Sequence, residues 1–309
     1  MSGGLFTFGE TMGAVAADGI GPFPYAKSFS FGIGGAESNV AIAVARLGGR
    51  STWLGRVGPD TTGALISHRL ADAGVRAIAI EDESFTGLMV RFRRSGEFMH
   101  VDYHRAGSAG SRLSPADLPL AELRAAGILH VTGITPALSE TCRAAVFHAV
   151  ETALAAGVPV SVDVNYRGKL WSRFDAAPVL RDLVSMADIV FAGPDEAALF
   201  VDGEDHLAGL TKLGPTEAIV KDGARGCVAL INGERHEVPA LPVTVVDPVG
   251  AGDAFVGGYL ADRLAGADAA QCLRTAIAAG AFAVTVPGDC EGLPDRAELA
   301  ALTGGDIRR

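Results

Sequence analysis

One segment decides how this chain folds, and it reads VTVVDPVGAGDAFVGGYLA, residues 243–261. An apolar run ends at Asp247, a glycine-rich turn follows, and an apolar helix pattern opens at about Asp253. Glycines in the turn 250–252 let several backbone N–H groups point at one spot, and the positive end of a helix there stabilises an anion. The segment therefore predicts a strand, an anion-binding turn and a helix.

Asp253 follows this turn, and an acidic residue there has two interpretations. It can cap the helix N-terminus, or it can act as a general base beside an anion site. The turn taken alone favours the cap. The chain has no GxxxxGK[ST] motif and no protein-kinase HRD or DFG element, so a phosphate would be met by backbone N–H groups, a metal and residues from elsewhere.

Outward from this segment, strand patterns alternate with helix patterns that stop at glycines. The strand patterns cover 5–10, 51–58, 128–133, 158–165, 188–193, 218–223, 227–232 and 242–247, and the helix patterns cover 37–48, 61–74, 139–157, 179–187 and 253–266. Such alternation predicts an α/β fold with a mainly parallel central sheet and helices on both faces. We expect residues 1–309 to form a single domain.

Residues 11–33 and 84–108 interrupt the alternation, because both have β-ribbon patterns without a helix. The second contains two runs around Ser95-Gly96, which is a hairpin signal. A helix-free ribbon fits poorly inside a doubly wound sheet. We therefore expect a small β lid at one edge, with ordinary edge strands as the alternative.

A second glycine-rich helix entry lies at 31–49 and imitates a dinucleotide fingerprint. Glu37 occupies the third glycine position, where an acid fits poorly beside a pyrophosphate. This mismatch disfavours a nicotinamide-dependent dehydrogenase. We interpret Gly34, Gly35 and Asn39 as a close approach to an uncharged polyol, the alternative being a plain helix start.

Polar residues follow two later strand patterns. Asp163 and Asn165 lie two apart and so face the same side of a strand end, where ligands of open α/β sheets bind. Lys221 ends another strand, and Gly223 and Gly226 form a tight turn after it that would cover a nucleotide. A solvated loop and an ordinary hairpin are the structural alternatives.

The ligand side of the predicted lid carries its own polar groups. Tyr103 and Arg105 lie two apart on one lid strand and hence on one face. Arg105 and Arg167 would form a guanidinium pair suited to a carboxylate or a phosphate, and Lys169 lies close to Arg167 in sequence. An exposed strand face is the alternative.

Composition limits the classes of partner. The chain has 309 residues, 49% of them hydrophobic, and 26 basic against 36 acidic residues give a net charge of −10. An acidic average argues against nucleic acid and anionic membranes, but not against small anionic ligands. No signal peptide or 20-residue apolar span is visible. No CxxC pair occurs among Cys142, Cys227, Cys272 and Cys290. We therefore expect a cytoplasmic protein with reduced thiols.

Three segments together resemble the signatures of the ribokinase-like (PfkB) family of carbohydrate kinases. They are GGAESNVAIAVARLG (34–48), GRVGPDTTG (55–63) and DPVGAGDAFVGG (247–258). Within that family the chain looks most like the kinases of 2-keto-3-deoxygluconate. This narrower resemblance rests on GGAES (34–38), YHRAGS (103–108), GITPALS (133–139), DVNYRGKLWS (163–172) and GDCEG (288–292).

The resemblance implies a ribokinase-like fold with a β lid and ATP-dependent phosphorylation of a primary hydroxyl of a sugar acid. It implies Asp253 as catalytic base and Gly250, Ala251 and Gly252 as anion hole. The sugar acid would meet Gly34, Gly35, Asn39, Tyr103, Arg105, Arg167 and Asp289. The ATP site would be lined by Asn165, Lys221, Gly223, Gly226, Gly250 and Gly252.

The resemblance also implies magnesium, assembly into homodimers or higher oligomers through the lid, and, as in some relatives, a monovalent cation. The family's NxxE element appears as GPDE at 193–196, where only Glu196 matches, so we assign Glu196 to magnesium through water. Met89 stands where a Tyr is common in these sugar-acid kinases. A fructokinase-like enzyme acting on a neutral sugar and a non-catalytic nucleotide or sugar sensor stay open as alternatives.

Overall fold

The computed structural model describes residues 3–95, 98–203 and 205–304. The strands are β1 (Leu5–Phe8), β2 (Met12–Ile20), β3 (Phe29–Gly34), β4 (Ser51–Val57), β5 (Arg76–Glu81), β6 (Leu88–Arg93), β7 (Met99–His104), β8 (Ile128–Thr132), β9 (Val160–Asp163), β10 (Ile189–Ala192), β11 (Glu217–Lys221), β12 (Cys227–Ile231) and β13 (Glu234–Val238). The helices are α1 (Ala36–Arg46), α2 (Thr61–Asp72), α3 (Leu120–Arg124), α4 (Thr135–Leu138), α5 (Glu140–Ala155), α6 (Arg173–Ser185), α7 (Pro194–Ala197), α8 (His206–Leu213), α9 (Ala251–Leu264), α10 (Ala269–Ala283) and α11 (Arg296–Gly304). The alternation expected from the sequence is confirmed over most of this length.

Nine strands form the central sheet in the order β13-β12-β11-β10-β9-β8-β1-β4-β5. All neighbours pair in parallel except β11–β12 and β12–β13, which are antiparallel. From β1 the chain runs to β4 and β5 on one side, and later elements add β8 to β11 on the other. This reversal of strand order opens a crevice at the carboxyl ends of the strands, where α/β proteins bind their ligands.

Helices cover both faces of this sheet, as the predicted α/β class requires. Val146, Leu180 and Leu210 bring α5, α6 and α8 into one apolar core. Leu260 and Leu273 bring α9 and α10 into another core, which also includes residues of α1. Strands β8, β9 and β10 are buried along their whole length because they are covered on both faces.

The two predicted ribbons combine into a second sheet, the lid sheet, with the order β3-β2-β6-β7, and a single 3-10 turn at Phe23–Tyr25 lies between β2 and β3. Its pairs are antiparallel except β2–β6, which is parallel. Alternation of side chains gives the sheet two unlike faces. The inner face carries Met12, Met89, Arg91, Val101 and Tyr103, and the outer face carries Val15, Phe29, Phe31, Val90 and Phe92. The predicted Ser95-Gly96 turn lies partly outside the described residues.

The predicted strand at 242–247 is wrong. This segment joins neither sheet, and Val246 and Asp247 instead donate their backbone N–H groups to the Val284 carbonyl at distances of 2.7 and 3.1 Å. Its valines give a strand-like pattern, but the segment crosses the C-terminal end of α10, where none of the described strands pairs with it. The side chain of Val245 is left 60% exposed.

The cysteines and the lengths of the helices can also be compared with the sequence expectations. Cys142, Cys227, Cys272 and Cys290 are all buried and free. Within the described residues, no helix combines the length and the apolar character needed to span a membrane.

Candidate active site

A cavity of about 1800 Å³ lies at the carboxyl ends of the central strands, under the inner face of the lid sheet. Its walls come from the lid sheet, the loops after β8, β9 and β10, the β11–β12 turn, the segment before α9, and α10. All the residues predicted for the sugar, the base and the anion hole line this cavity. These are Gly34, Gly35, Asn39, Tyr103, Arg105, Arg167, Asp253, Asp289, Gly250, Ala251 and Gly252. Asn165, Glu196, Lys221, Gly223 and Gly226 line it as well.

The anion loop, residues 250–252, forms the beginning of α9. Gly250 occupies the N-cap with φ 77°, a left-handed conformation that glycine adopts without strain. A Cβ at Gly250 would also overlap the backbone carbonyl of Asp289. The helix begins at Ala251, two residues before the predicted start. Because the first N–H groups of a helix have no carbonyl partner within it, this end of α9 suits a phosphate group.

Asp253 lies one residue beyond this loop and does not cap the helix, since Gly250 holds that position. Its side chain is buried, and its Oδ2 accepts a hydrogen bond of 2.8 Å from Asn39 Nδ2. Burial raises the pKa of Asp253 to about 7, against the opposing effect of the Asn39 hydrogen bond. A carboxylate with a pKa near neutrality, beside an anion site, is suited to accept a proton.

Lys221 contributes a positive charge next to the anion loop. Its Nζ lies 2.8 Å from both carboxylate oxygens of Asp163, and a Cβ at Gly252 would lie 3.6 Å from that Nζ. Burial disfavours the charged amine, but Asp163 and Glu196 outweigh this and raise the pKa of Lys221. The ammonium group is therefore fixed in its charged form at the edge of the loop.

Glu196 is held by backbone donors. Its Oε1 accepts from the Tyr166 N–H at 2.9 Å and its Oε2 from the Gly193 N–H at 2.7 Å. Burial and the nearby Asp163 raise the pKa of this carboxyl group. Both oxygens keep further lone pairs, so the group fits a hydrated magnesium ion through water. Among the described residues, no cluster of three or more His, Cys, Asp and Glu side chains is placed to chelate a metal directly.

The side of the cavity that is predicted to meet the sugar contains ion pairs between residues far apart in the sequence. Arg105 donates from Nε to Glu10 Oε2 at 2.6 Å, and Glu10 also accepts from the Ser108 hydroxyl. Arg105 is thus already paired with a carboxylate of the protein, whereas the sequence predicts that it joins Arg167 in binding an anionic ligand. Arg167 is exposed and makes no ion pair with any described residue.

Tyr103 is flanked by two cations. The Arg105 guanidinium lies 5.7 Å from the ring centroid and the Lys169 ammonium 5.6 Å from it. Lys169 Nζ also donates to the Val101 carbonyl at 2.6 Å, which joins the loop after β9 to lid strand β7. These contacts hold the aromatic ring at the cavity wall, where 40% of it stays exposed.

Asp289 lies between Gly34, which is predicted to meet the sugar, and Gly250 of the anion loop. Its carboxylate would overlap a Cβ at Gly34, so this position requires glycine for the two segments to approach. Burial raises the pKa of Asp289 to about 6, although the nearby Arg91 opposes the rise. Arg91 Nη1 lies 2.9 Å from Asp289 Oδ1.

The other end of the cavity is apolar. The turn between β11 and β12 contains Gly223 and Gly226 with φ 52° and 98°, and β11 and β12 form the predicted antiparallel hairpin. Facing this turn are apolar side chains from the segment before α9 and from α10, namely Leu241, Pro242, Val243, Ile277 and Val284. A slot of this kind suits a planar aromatic base.

Comparison with known proteins identifies the family. The model of the pfkB family of carbohydrate kinases matches residues 4–296. The chain belongs to the PfkB family. This PfkB protein is 36% identical over 305 residues to a 2-dehydro-3-deoxygluconokinase of Bacillus subtilis, covering 96% of this chain and 94% of the relative. It is 34% identical to a fructokinase of Klebsiella pneumoniae, covering 97% and 99%.

A solved structure of the same fold is a putative ribokinase II from E. coli in complex with ATP and Mg²⁺. It superposes with a TM-score of 0.90 at 28% identity, covering 99% of this chain and all of that one. The predicted ribokinase-like fold and carbohydrate kinase activity are therefore confirmed for this PfkB protein.

Proposed function

We propose that this PfkB kinase transfers the γ-phosphoryl group of ATP to a primary hydroxyl of a sugar acid, converting 2-keto-3-deoxygluconate to its 6-phosphate. The observation that carries the proposal is Arg167, an exposed cavity cation without an ion-pair partner among the described residues. The similarity to the Bacillus subtilis 2-dehydro-3-deoxygluconokinase supports the same substrate. The ATP- and Mg²⁺-bound relative supports the nucleotide and the metal.

In this proposal Asp253 is the general base. It accepts the proton of the sugar hydroxyl as that oxygen attacks phosphorus, and its pKa of about 7 lets it do so near neutral pH. The N–H groups of the anion loop and Lys221 then stabilise charge on the transferring group. Asn39 holds the carboxylate in place through its 2.8 Å hydrogen bond.

Glu196 would hold magnesium through water, and the metal when bound neutralises charge on the polyphosphate. Asn165, Gly223 and Gly226 would line the nucleotide end of the cavity. A monovalent cation beside the anion loop stays a prediction, and comparison of turnover in K⁺ and in tetramethylammonium buffers tests it.

The sugar acid carboxylate is assigned to Arg167. Hydrogen bonds between charged groups contribute about 1.5–3 kcal/mol, which corresponds to roughly 10- to 100-fold in affinity. Arg105, neutralised by Glu10, is assigned to a hydroxyl of the same sugar. Gly34 and Asp289 would meet the hydroxyls on the opposite wall, and Tyr103 would pack on the carbon chain.

A neutral ketohexose is the second candidate substrate. Pairing of Arg105 with Glu10 leaves one cavity arginine for a carboxylate instead of two, which weakens the charge argument for an acid. The Klebsiella pneumoniae fructokinase is also nearly as similar as the sugar-acid kinase. A fructokinase-like activity would leave Arg167 facing the cavity without a counter-charge.

An ADP-release assay with ATP and Mg²⁺ separates the candidates, using 2-keto-3-deoxygluconate, fructose, ribose and nucleosides. We expect the highest kcat/KM with 2-keto-3-deoxygluconate, and Arg167→Met should raise the KM for that sugar roughly 10- to 100-fold while the KM for ATP changes little. Arg124→Met is the matched control, because Arg124 is exposed and outside the cavity. A higher kcat/KM with fructose would replace the sugar-acid proposal. ADP release with no sugar in the panel, despite measurable ligand binding, would favour a sensor.

We also propose that the outer face of the lid sheet binds a second copy of the chain. Phe29 and Phe31 on this face are 46% and 45% exposed, and Phe23 contacts Phe29 edge-to-face and Phe92 at a tilt. Exposed aromatic side chains gathered on one sheet face favour association. Light scattering coupled to size exclusion should show a dimer or larger assembly that Phe31→Glu dissociates. A monomeric wild-type protein at micromolar concentration would contradict this proposal.

A further inference from the structure

Arg91 is a buried arginine on the inner face of lid strand β6. Its side chain is only 6% exposed, although it belongs to a sheet that borders the cavity. Its Nη1 lies 2.9 Å from Asp289 Oδ1 and 3.4 Å from Asp247 Oδ2. A guanidinium group out of water needs such partners, because an unpaired buried charge costs several kcal/mol.

The two carboxylates that Arg91 contacts belong to the two chain segments that frame the anion loop. Asp247 precedes the loop, and its side chain accepts the backbone N–H groups of Val249 and Gly288, both at 3.2 Å. Asp247 thus ties the segment before the loop to the segment before Asp289. Arg91 contacts both carboxylates from the lid sheet and so connects the lid to these two segments.

Asp289 reaches the anion loop from the other side. Its backbone carbonyl packs against Gly250, at the point where a Cβ would overlap it, and its carboxylate packs against Gly34 on the sugar side. A shift of Asp289 would therefore move a neighbour of Gly250. Arg91 reaches the carboxylate of Asp289 from the lid sheet as an ion pair, in which Nη1 and Oδ1 are in contact without a hydrogen bond.

We propose that Arg91 is a positioning residue that couples the lid sheet to the anion loop. With the lid over the sugar, its guanidinium fixes Asp247 and Asp289, and these fix the turn that presents the N–H groups of 250–252 to the transferring phosphoryl group. This inference rests on the proposed role of the anion loop. It assigns Arg91 no contact with either substrate.

Two consequences follow for catalysis. Sugar binding under the lid favours an ordered anion loop, so phosphoryl transfer becomes efficient only when the acceptor is present. Loss of Arg91 should lower kcat more than it raises either KM, because the loop acts on the transition state more than on the bound substrates. A residue that served stability alone would lower the melting temperature without this pattern.

Hydrogen exchange measured by mass spectrometry tests the coupling without relying on turnover. In the wild type, saturating 2-keto-3-deoxygluconate should slow exchange in peptides covering 247–252 and 286–290. If the substrate assay selects fructose, fructose is the probe. In Arg91→Met this sugar-dependent protection should disappear, although calorimetry still detects sugar binding. In Arg94→Met, which removes an exposed arginine from the same hairpin, it should persist.

Kinetics supply the second measurement. We expect Arg91→Met to lower kcat roughly 10- to 100-fold with each KM within about threefold of wild type, the range given by 1.4–2.7 kcal/mol of lost transition-state stabilisation. In the Asp289→Asn background the same substitution should cost at least threefold less, because the two residues act together. Equal costs in both backgrounds, or protection retained in Arg91→Met, would overturn the coupling.

Two controls keep the outcomes distinct. If Arg91→Met does not fold, Arg91→Lys takes its place, because lysine keeps the charge but its ammonium ends one bond short of Nη1, the atom that contacts both carboxylates. A lysine variant with wild-type protection and wild-type kcat would overturn the proposal. If Asp253 is not the general base, the Asp253→Asn variant will still turn over substrate. That outcome is independent of the hydrogen-exchange result, which tests only the coupling by Arg91.

Discussion

Replacing Asp253 with asparagine tests the chemistry of the site with little change of shape. The asparagine Oδ1 can still accept the 2.8 Å hydrogen bond that Asn39 Nδ2 now gives to Asp253 Oδ2. What is lost is the ability to accept a proton. A general base contributes about 10²- to 10⁴-fold to rate, so kcat should fall by at least about 100-fold while ATP binding is retained.

The pKa of Asp253 sets a second, quantitative expectation. A raised pKa of about 7 means that the base is ionised above that pH and protonated below it. Activity should therefore be lost as pH falls through about 7, with roughly one tenth of the plateau kcat/KM left one unit lower. The residual activity of Asp253→Asn should lack this limb. The measurements are pH profiles of kcat and kcat/KM by coupled ADP release.

Asp262→Asn is the matched control on the same helix. Asp262 is buried and pairs with Arg296 at 2.6 Å, away from the cavity. This variant should lose stability but keep turnover, which separates damage to α9 from loss of the base. The general-base assignment is refuted if Asp253→Asn keeps more than about a tenth of wild-type kcat, or if it keeps the acid limb.

Three further predictions concern the surroundings of the base. Asn39→Leu removes the hydrogen bond that opposes the raised pKa of Asp253, so the acid limb of kcat/KM should move to higher pH, and an unmoved limb would contradict this role. Glu10→Gln leaves Arg105 largely buried without a counter-charge, which should lower the melting temperature and raise the KM for the sugar but not for ATP. Gly250→Ala forces a left-handed alanine against the Asp289 carbonyl, and denaturant titration should show about 1–3 kcal/mol of lost stability together with a lower kcat. Wild-type stability in that variant would show that the loop relaxes without cost.

Structural features whose residues are close together in the sequence could be predicted. The anion loop and Asp253 lie within four residues. The glycines, the start of a helix pattern and the acidic residue can all be recognised there from the sequence alone. The same holds for the parallel sheet, because each strand and helix shows its own hydrophobic period. The two β-ribbons are predictable for the same reason.

Pairings between distant residues could not be predicted. Glu10 and Arg105 are 95 residues apart, and Asp163 and Lys221 are 58 apart. One sequence shows that each charge exists but not which opposite charge neutralises it. The ion pairs of Arg91 were missed for this reason, and the expected Arg105–Arg167 pair treated Arg105 as free when Glu10 already holds it.

The segment 242–247 shows that a local hydrophobic pattern can also predict a strand that does not form. Its valines carry a strand signal, but strand formation needs a neighbour with free N–H and C=O groups. The chain there runs past the end of α10, and within the described part of the chain its backbone N–H groups find a single backbone acceptor, the Val284 carbonyl.

The two-faced lid sheet has a consequence for redesign. Its inner positions alternate with its outer ones, so we expect a library restricted to every second residue to change acceptor preference while it leaves the opposite surface unchanged. Met89 and Val101 are natural first choices, since both line the cavity and neither takes part in an ion pair. We therefore expect acceptor preference and self-association to be alterable independently, because the residues that would control them occupy alternate positions of the same strands.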